Sequence, residues 1–224
     1  MYGFRWERWA ALTGVLFVAL LVIGVAMSGD AGDTPGELES YYAESGNRAK
    51  EIAAFFVIAA ASLAFLSFLG TLREMLVRAE GGPGTLSALV FGPGLVFVAC
   101  LLTGSAISRA PAALAEQENF TLDANTAELL DGAGYLTIVA GLMAASILVL
   151  SASTAALRTG VLPAWLGWAG LIVSVVMLFS IFFLPILAFL AWVLAVSLVL
   201  TVAAWRVRAG APPAAPPPTT TAAG

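Results

Sequence analysis

Long apolar blocks without Asp, Glu, Lys or Arg divide this chain of 224 residues. The blocks cover residues 9–29, 52–72, 81–108, 132–157 and 159–205. Roughly 20 apolar residues in a helix cross a ~30 Å hydrocarbon layer, so each of the first four blocks predicts one transmembrane helix. Lipid offers the backbone no hydrogen-bond partners, and the pattern therefore predicts an all-α, polytopic transmembrane bundle.

The fifth block predicts two helices. As one helix at ~1.5 Å per residue it would be about 70 Å long, which is too long for one span. Pro185 lies near its midpoint and, having no backbone N–H, would interrupt a helix there. We therefore predict six spans arranged as three hairpins within residues 1–208. Their predicted bounds are about 9–28, 50–72, 85–107, 132–157, 164–183 and 186–205.

The first loop between blocks contains a helix signal. Thr34, Pro35 and Glu37 have the spacing of a capping box with proline in the first turn. This predicts a short helix on the outer surface, with Tyr41 and Tyr42 directed toward the lipid headgroups.

Two further segments follow from local patterns. Asn125 and Glu128 form a second candidate cap pair, which predicts that the fourth spanning helix begins before the membrane does. Residues 209–224 are rich in Pro, Ala and Thr without a hydrophobic stripe, and we expect a disordered cytoplasmic tail.

The basic residues predict the orientation. With six spans and a cytoplasmic N-terminus, seven basic residues fall on the inner side and three on the outer side, which the positive-inside rule favours. The inner set is Arg5, Arg8, Arg73, Arg78, Arg158, Arg206 and Arg208, and the outer set is Arg48, Lys50 and Arg109. One lysine among ten basic residues, with abundant Ala and Gly, is typical of a GC-rich bacterial genome. We expect a multi-pass protein of the bacterial cytoplasmic membrane, N-in and C-in.

Composition excludes several kinds of chemistry. The chain is 60% hydrophobic and 11% charged, with no histidine and one cysteine. These counts exclude His-ligated metals, bis-His haem, iron–sulfur clusters and dithiol redox chemistry. No ionisable residue lies deep in a predicted span, where proton and ion pathways usually place one. We expect no cofactor, no metal and no nucleic-acid partner, and an enzyme is the less favoured class.

A Gly-Pro-Gly stretch interrupts the third predicted span. Proline removes a helical hydrogen bond, so a kink is expected, and we favour a packing bend over a ligand site. The alternative is an apolar cavity of a solute carrier, because broken helices form transporter sites. The candidate ligand-binding residues for that alternative are Gly92, Pro93, Gly94, Ser62, Thr103 and Ser146.

Charged residues lie at the predicted outer ends of the spans. Most acidic residues fall in the outer loops, which we interpret as solvated rather than as a divalent-cation site. The subset that abuts helix ends predicts ion pairs between hairpins that hold the outer mouth together. This outer-face charge cluster consists of Arg48, Lys50, Glu51, Arg109 and Asp131.

At the predicted inner face, Arg73 and Arg78 continue the second span into the cytoplasm, and Trp165 and Trp168 enter the fifth span. We interpret these four residues as anchors at the lipid headgroups.

Residues 158–170, RTGVLPAWLGWAG, resemble a motif of bacterial multi-span proteins of actinobacterial type that are grouped as a domain of unknown function. The segments YYAESGNRAKE and LGTLREML are similar to the same group, so the resemblance covers most of the chain up to Trp205. It implies a six-span integral membrane protein and brings no activity or functional residue with it.

The sequence favours a non-enzymatic role. We expect an accessory subunit of a larger assembly or a module that senses a lipid or small ligand. The alternative is a transporter or carrier of a small apolar or amphiphilic solute. A filled core would favour the module, and a sealed pocket beside Gly92–Gly94 would favour the carrier. The expected partner is the lipid bilayer. A protein partner or a second copy of the chain is a further possibility that the sequence does not decide.

Overall fold

Seven helices, and no strand, occur in the part of the chain that the structure describes. This computed structural model describes residues 3–29, 32, 34–82, 84–117, 123–179 and 184–209, with backbone alone at 3–11, 35, 184 and 203–209. The helices are α1 Gly3–Met27, α2 Pro35–Ala43, α3 Ser45–Glu80, α4 Thr85–Leu114, α5 Ala124–Thr159, α6 Ala164–Met177 and α7 Leu184–Ala209. The all-α prediction is confirmed, and the predicted tail beyond Ala209 lies outside the described residues.

Four helices are long and apolar enough to cross a membrane: α3, α4, α5 and the part of α7 over Pro185–Val202. Two shorter apolar helices, Leu12–Met27 within α1 and the whole of α6, accompany them. Along α3, the uncharged stretch between Glu51 and Arg73 rises about 33 Å, close to the thickness of a hydrocarbon layer. These lengths indicate a membrane protein.

Helices α3 and α4 continue past their predicted span bounds, to Glu80 and Leu114, whereas α6 falls short of its bound. Helix α6 has 14 residues and ends at Met177, short of the expected bound at 183. After Val176 the chain tightens into bonds between residues three apart: Leu178 N–H donates to the Val175 carbonyl at 3.2 Å and Phe179 N–H to the Val176 carbonyl at 3.0 Å. This 3₁₀-like turn ends the α-helix before Pro185 is reached.

The helices other than α2 form a closed ring. Around the ring, α1 packs against α3, α3 against α4, α4 against α5, α5 against α6 and α6 against α7. Helix α7 packs against α1 and closes the ring. The α4–α5 interface is the most extensive. There the backbones touch, because a Cβ on Gly104 or on Gly134 would lie 2.6 Å from the other residue's carbonyl oxygen. Such small residues let helices approach closely in lipid.

Aromatic rings fill the axis of this ring of helices. Phe17 of α1, Phe65 of α3, Phe97 of α4 and Phe189 of α7 are all essentially unexposed. Every pair among them has ring centroids 4.7 to 6.4 Å apart, in tilted or edge-to-face arrangements. Such geometry is favoured by the ring quadrupoles. The core is packed rather than open.

Helix α2 lies at one end of the bundle, against α3 and α5, and we call this end the α2 end. Its predicted capping box is confirmed. The Thr34 hydroxyl accepts from the Glu37 N–H at 3.4 Å, and the Glu37 carboxylate accepts from the Thr34 N–H at 3.1 Å. This exchange satisfies backbone donors that a helix start leaves free.

Helix α5 begins ahead of its predicted span, as expected, but the predicted cap pair is wrong. The cap is Asp123, whose carboxylate accepts from the Thr126 N–H at 3.1 Å and from the Thr126 hydroxyl at 2.7 Å. These bonds hold the pKa of Asp123 below its usual range. Asn125 already lies within the first turn, where its side chain no longer occupies the cap position.

Candidate functional site: a polar cavity at the α2 end

A polar cavity of about 590 Å³ opens at the α2 end, between α2 and the adjoining ends of α1, α3, α4 and α5. We call it the α2 cavity. Its charged lining residues are Glu51, Arg109, Glu128 and Asp131, and its hydroxyl-bearing ones are Ser28, Tyr42 and Ser108. It therefore gathers residues from five helical segments that are distant in sequence.

Glu51 is buried, with only 7% of the residue exposed, and three groups contact its carboxylate. Its Oε1 accepts from the backbone N–H of Gly29 at 3.0 Å and from the Tyr41 hydroxyl at 2.9 Å. Its Oε2 lies 3.5 Å from Nε of Arg109. Gly29 follows the end of α1, so one carboxylate joins α1, α2, α3 and α4.

Arg109 is the cationic partner, with 12% of its side chain exposed. Its Nη2 donates to the Ser28 hydroxyl at 2.6 Å, and its Nη1 donates to the Ser105 carbonyl at 3.4 Å. Its Nε is buried and has no hydrogen-bond acceptor among the described residues, because the Glu51 contact is an ion pair without hydrogen-bond geometry. The guanidinium thus retains an unused donor.

A second ion pair joins α3 to the turn that follows α4. Arg48 Nε donates to Glu116 Oε1 at 2.7 Å, and 15% of the Arg48 side chain is exposed against 49% for Glu116. Arg48 Nη1 also donates to the carbonyls of Tyr42 and Ala43, at 2.8 and 2.9 Å. These are carbonyls of the last turn of α2, where a cation is favoured.

The five residues of the predicted charge cluster therefore take different places. Glu51 and Arg109 meet, whereas Arg48 pairs with Glu116, a residue that the cluster did not include. Asp131 lines the α2 cavity, and its backbone carbonyl accepts from the Ser108 hydroxyl at 3.4 Å. The fifth, Lys50, is exposed and is not part of the lining.

The two tyrosines of α2 are turned toward this polar group, so their predicted direction toward the headgroups is wrong. Burial and the hydrogen bond to Glu51 raise the pKa of Tyr41 to about 12. Burial and the negative charges of Glu51 and Asp131 raise the pKa of Tyr42 to about 12. A buried carboxylate needs donors, and Tyr41 supplies one. No local pattern in the sequence pairs residue 41 with residue 51, because the contact depends on how α2 folds back.

The Gly-Pro-Gly stretch lies elsewhere and packs as a helix. Helix α4 is continuous through Pro93. A Cβ on Gly94 would lie 2.6 Å from Leu69 Cδ2 and 2.9 Å from Leu148 Cδ1, so the missing side chain admits both leucines. Gly92 is exposed, and a Cβ there would meet nothing within 4 Å.

The hydroxyls proposed to line a carrier site do not converge on that stretch. Ser62 is buried and donates to its own helix at the Ile58 carbonyl, at 2.9 Å. Ser146 donates likewise to the Met143 carbonyl at 2.6 Å, and Thr103 is exposed. The cavities described here have other linings.

The opposite end of the bundle carries the predicted lipid anchors. Arg73 lies over the ring of Phe91, 5.2 Å from its centroid, and Arg78 pairs with Glu74. Trp165 and Trp168 of α6 are 59% and 63% exposed. The exposed tryptophans are compatible with anchoring at the headgroups, which stays a prediction for all four residues.

A second cavity of about 420 Å³ lies at this opposite end, lined in part by Glu80, Thr85 and Arg158. Glu80 closes the start of α4: its carboxylate accepts from the N–H groups of Leu86 at 3.3 Å and of Ser87 at 2.7 Å. This cap was missed from the sequence. The signal available was an acidic residue directly before a glycine-rich turn and a helix start.

The carboxylates of the α2 cavity are spread around its wall. Over the residues that the structure describes, no group of three or more His, Cys, Asp or Glu side chains could hold a metal ion. The cavity is thus a mixed polar site whose lining contains one guanidinium and three carboxylates.

Comparison of the chain with protein-family models, with curated proteins and with solved structures gives no match.

Proposed function

We propose that the chain is a six-span protein of a bacterial cytoplasmic membrane, with both termini inside, that binds a small polar ligand or a lipid headgroup in the α2 cavity. In this proposal it acts as a non-enzymatic sensing module, its main partner is the bilayer, and the α2 end faces outward. The observation that carries the proposal is the α2 cavity itself.

The ring of helices supports six spans. Helices α1 and α6 each pack between span-length helices, α1 between α3 and α7 and α6 between α5 and α7. A helix in such a place is surrounded by protein and lipid through the depth of the bundle. Helix α6 rises only about 21 Å at 1.5 Å per residue, so in this proposal its span also takes in Leu178 and Phe179.

The size and chemistry of the α2 cavity support ligand binding. Its volume of about 590 Å³ falls within the usual range for small-molecule pockets, roughly 300 to 1,000 Å³. The carboxylates of Glu128 and Asp131 are exposed and make no salt bridge among the described residues, so the lining retains bonding capacity. The buried ion pair of Glu51 and Arg109, both lining residues, connects the ends of α3 and α4 at the cavity.

The packed core favours a binding module over a carrier. A solute moving along the axis would displace Phe17, Phe65, Phe97 and Phe189, which lie in mutual contact at the centre. The α2 cavity lies at one end of this packed region. A ligand there is bound at the surface of the bundle rather than passed through it.

Two matched glycine variants test the proposal. A Cβ at Gly132 or at Gly92 meets nothing within 4 Å, but only Gly132 lines the α2 cavity. Gly132→Trp should therefore fill the cavity, whereas Gly92→Trp places the same side chain on the outer surface of α4. The wild type and both variants would be purified from native membranes in a mild detergent, and bound lipids, metabolites and proteins identified by mass spectrometry.

The expected result is a bound compound that is depleted from Gly132→Trp and retained by Gly92→Trp. Loss from Gly92→Trp alone would support the carrier and overturn the proposal. The same compounds in all three preparations would also overturn it. A protein partner lost only from Gly132→Trp would instead indicate an accessory subunit that docks at the α2 end.

A further inference from the structure

Negative charge is in excess around the α2 cavity. Three carboxylates line it, those of Glu51, Glu128 and Asp131, against the single guanidinium of Arg109. That guanidinium already contacts Glu51 and Ser28, and its one unused donor, Nε–H, is buried. Glu128 and Asp131 are exposed and have no salt bridge to a basic residue within the part of the chain that the structure describes. The wall of the cavity therefore has two acidic groups without counter-charges.

Tyr42 adds a hydroxyl that also lacks a protein partner. The residue is only 9% exposed and lines the cavity, and its ring stands edge-on to Tyr41, with centroids 5.2 Å apart. Among the described residues its hydroxyl has no hydrogen bond, although Glu51, Asp131 and Arg109 all act on it electrostatically. Because the hydroxyl makes no bond to the described residues, its donor and acceptor positions are open to water or to a ligand in the cavity.

The free positions of the cavity are mainly hydrogen-bond acceptors. Ionised carboxylates accept only, and a tyrosine hydroxyl can accept as well as donate. Ser108 already uses its proton on the Asp131 carbonyl, which leaves its lone pairs. A complementary ligand supplies N–H donors and positive charge, and the face of the Tyr42 ring suits a cation.

The size of the cavity excludes a bare ion as a good fit. A volume of about 590 Å³ equals roughly twenty waters at ~30 Å³ each. Within the described residues, the carboxylates are not grouped closely enough to hold a metal. Dispersed acceptors in a large cavity match an organic cation better than a compact divalent one.

We propose that the α2 cavity binds an organic ammonium group, with Glu128 and Asp131 as its counter-charges and Tyr42 as a hydrogen-bonding and aromatic contact. This inference rests on the proposed function, since it names the ligand class of the same cavity. The ammonium can belong to a lipid headgroup or to a soluble amine, and both present the same N–H donors.

The test uses the full chain in nanodiscs of phosphatidylglycerol, in two arms. In the first arm, ethanolammonium and the uncharged diol ethylene glycol are titrated at matched ionic strength, and binding is read from the unfolding temperature and by calorimetry. In the second arm, phosphatidylethanolamine is added to the nanodiscs in place of part of the phosphatidylglycerol. Stabilisation in the first arm indicates a soluble amine, and stabilisation in the second arm alone indicates a lipid headgroup.

The variants assign the effect to named side chains. Because exposed charge pairs contribute up to ~1 kcal/mol each, the double variant Glu128→Gln, Asp131→Asn should weaken binding about tenfold. Tyr42→Phe keeps the ring and should weaken it several-fold. Glu39→Gln removes an exposed carboxylate of α2 outside the lining and should change nothing.

Equal binding of the amine and the diol, or binding that the double variant leaves unchanged, would overturn the ammonium assignment. If the compound depleted from Gly132→Trp proves neutral or anionic, the assignment fails while the proposed function stands. If neither ammonium source binds and Gly132→Trp alters no bound compound, both fail.

Discussion

Glu51 of α3 and Arg109 of α4 form an ion pair between these two helices, with Oε2 and Nε 3.5 Å apart and both side chains about nine-tenths buried. The two partners are not equally supported. Without Arg109, Glu51 would still accept from Gly29 and Tyr41. Without Glu51, Arg109 would retain only Ser28 and a long bond to a carbonyl. Removing Glu51 therefore leaves a buried group with fewer partners than removing Arg109 does.

This asymmetry predicts the order of two substitutions. Glu51→Leu should lower the free energy of unfolding by about 2 kcal/mol or more, because it leaves a buried guanidinium, a backbone N–H and a tyrosine hydroxyl unpaired. Arg109→Leu should lower it less. Thermal unfolding in detergent can be followed with a thiol-reactive fluorophore, since Cys100 is the sole cysteine and lies where α4 packs on α5.

The double variant Glu51→Leu, Arg109→Leu should cost less than the sum of the single changes, as expected for a coupled pair. Glu116→Gln is the control. It breaks the ion pair with Arg48, in which Glu116 is half-exposed, and such a pair contributes at most ~1 kcal/mol to the free energy of unfolding. Additive single effects, or a larger loss for Glu116→Gln, would contradict the role given to the buried pair.

The α4–α5 interface predicts a contrast between two nearby glycines of α5. A Cβ on Gly134 would lie 2.6 Å from the Gly104 carbonyl oxygen and 2.8 Å from the Ser108 backbone nitrogen, and backbone atoms cannot move aside cheaply. Gly134→Ala should therefore separate the helices and destabilise the fold by about 2 kcal/mol. Gly132→Ala meets nothing and should be neutral or stabilising by up to ~1 kcal/mol, since alanine favours helix.

The same thermal assay checks both changes. Because Ser108 and Asp131 adjoin this contact and line the α2 cavity, Gly134→Ala should also weaken whatever binding Gly132→Trp abolishes. A Gly134→Ala protein as stable as the Gly132→Ala protein would show that the helices are not held at this spacing.

Periodic features of the fold were predictable because they are local. Uncharged blocks identified the apolar helices, and the Thr34 to Glu37 spacing identified α2 and its cap. The end of α6 was not predictable, because a tightening of its last turn leaves no residue signal in an apolar run. The start of α5 offered two possible caps, Asp123 and Asn125, and the sequence alone did not identify Asp123 as the cap that the structure shows.

The candidate site was predictable only in part. Charges at helix ends drew attention to Glu51, Arg109 and Asp131, which do line one cavity. The tyrosines were placed wrongly, since their direction depends on α2 folding back over α3. Partner choice within the cluster, such as Arg48 with Glu116, depends on tertiary distances that no spacing along the chain encodes.

The proposed topology predicts a labelling pattern. A membrane-impermeant maleimide should label Glu39→Cys on α2 and Phe179→Cys after α6 in intact cells. Gly82→Cys after α3 and Arg158→Cys at the end of α5 should react only after permeabilisation. All four residues are exposed, and the wild type with its half-buried Cys100 is the background control.

The Phe179→Cys result is the most demanding of these, because α6 alone rises only about 21 Å. Protection of this site in intact cells, with Glu39→Cys labelled, would show that α6 does not cross and that fewer than six spans exist. Inverted labelling at all four positions would reverse the orientation that the basic residues predict.

Alkaline pH should loosen the α2 end before it affects the core. The folded state raises the pKa of Tyr41 and of Tyr42 from 10 to about 12, so it favours the neutral phenols. The stability linked to them is fully present below pH 10 and is lost as pH rises toward 12.

Because burial is the largest cause for both, Glu51→Gln should lower the pKa of Tyr41 only part of the way to its ordinary value. Tyrosinate absorbance, recorded with the unfolding temperature, measures both effects, and Glu74→Gln at the opposite end is the control. Phenols that ionise near pH 10 in the folded protein would mean that Tyr41 and Tyr42 face solvent instead of the carboxylates.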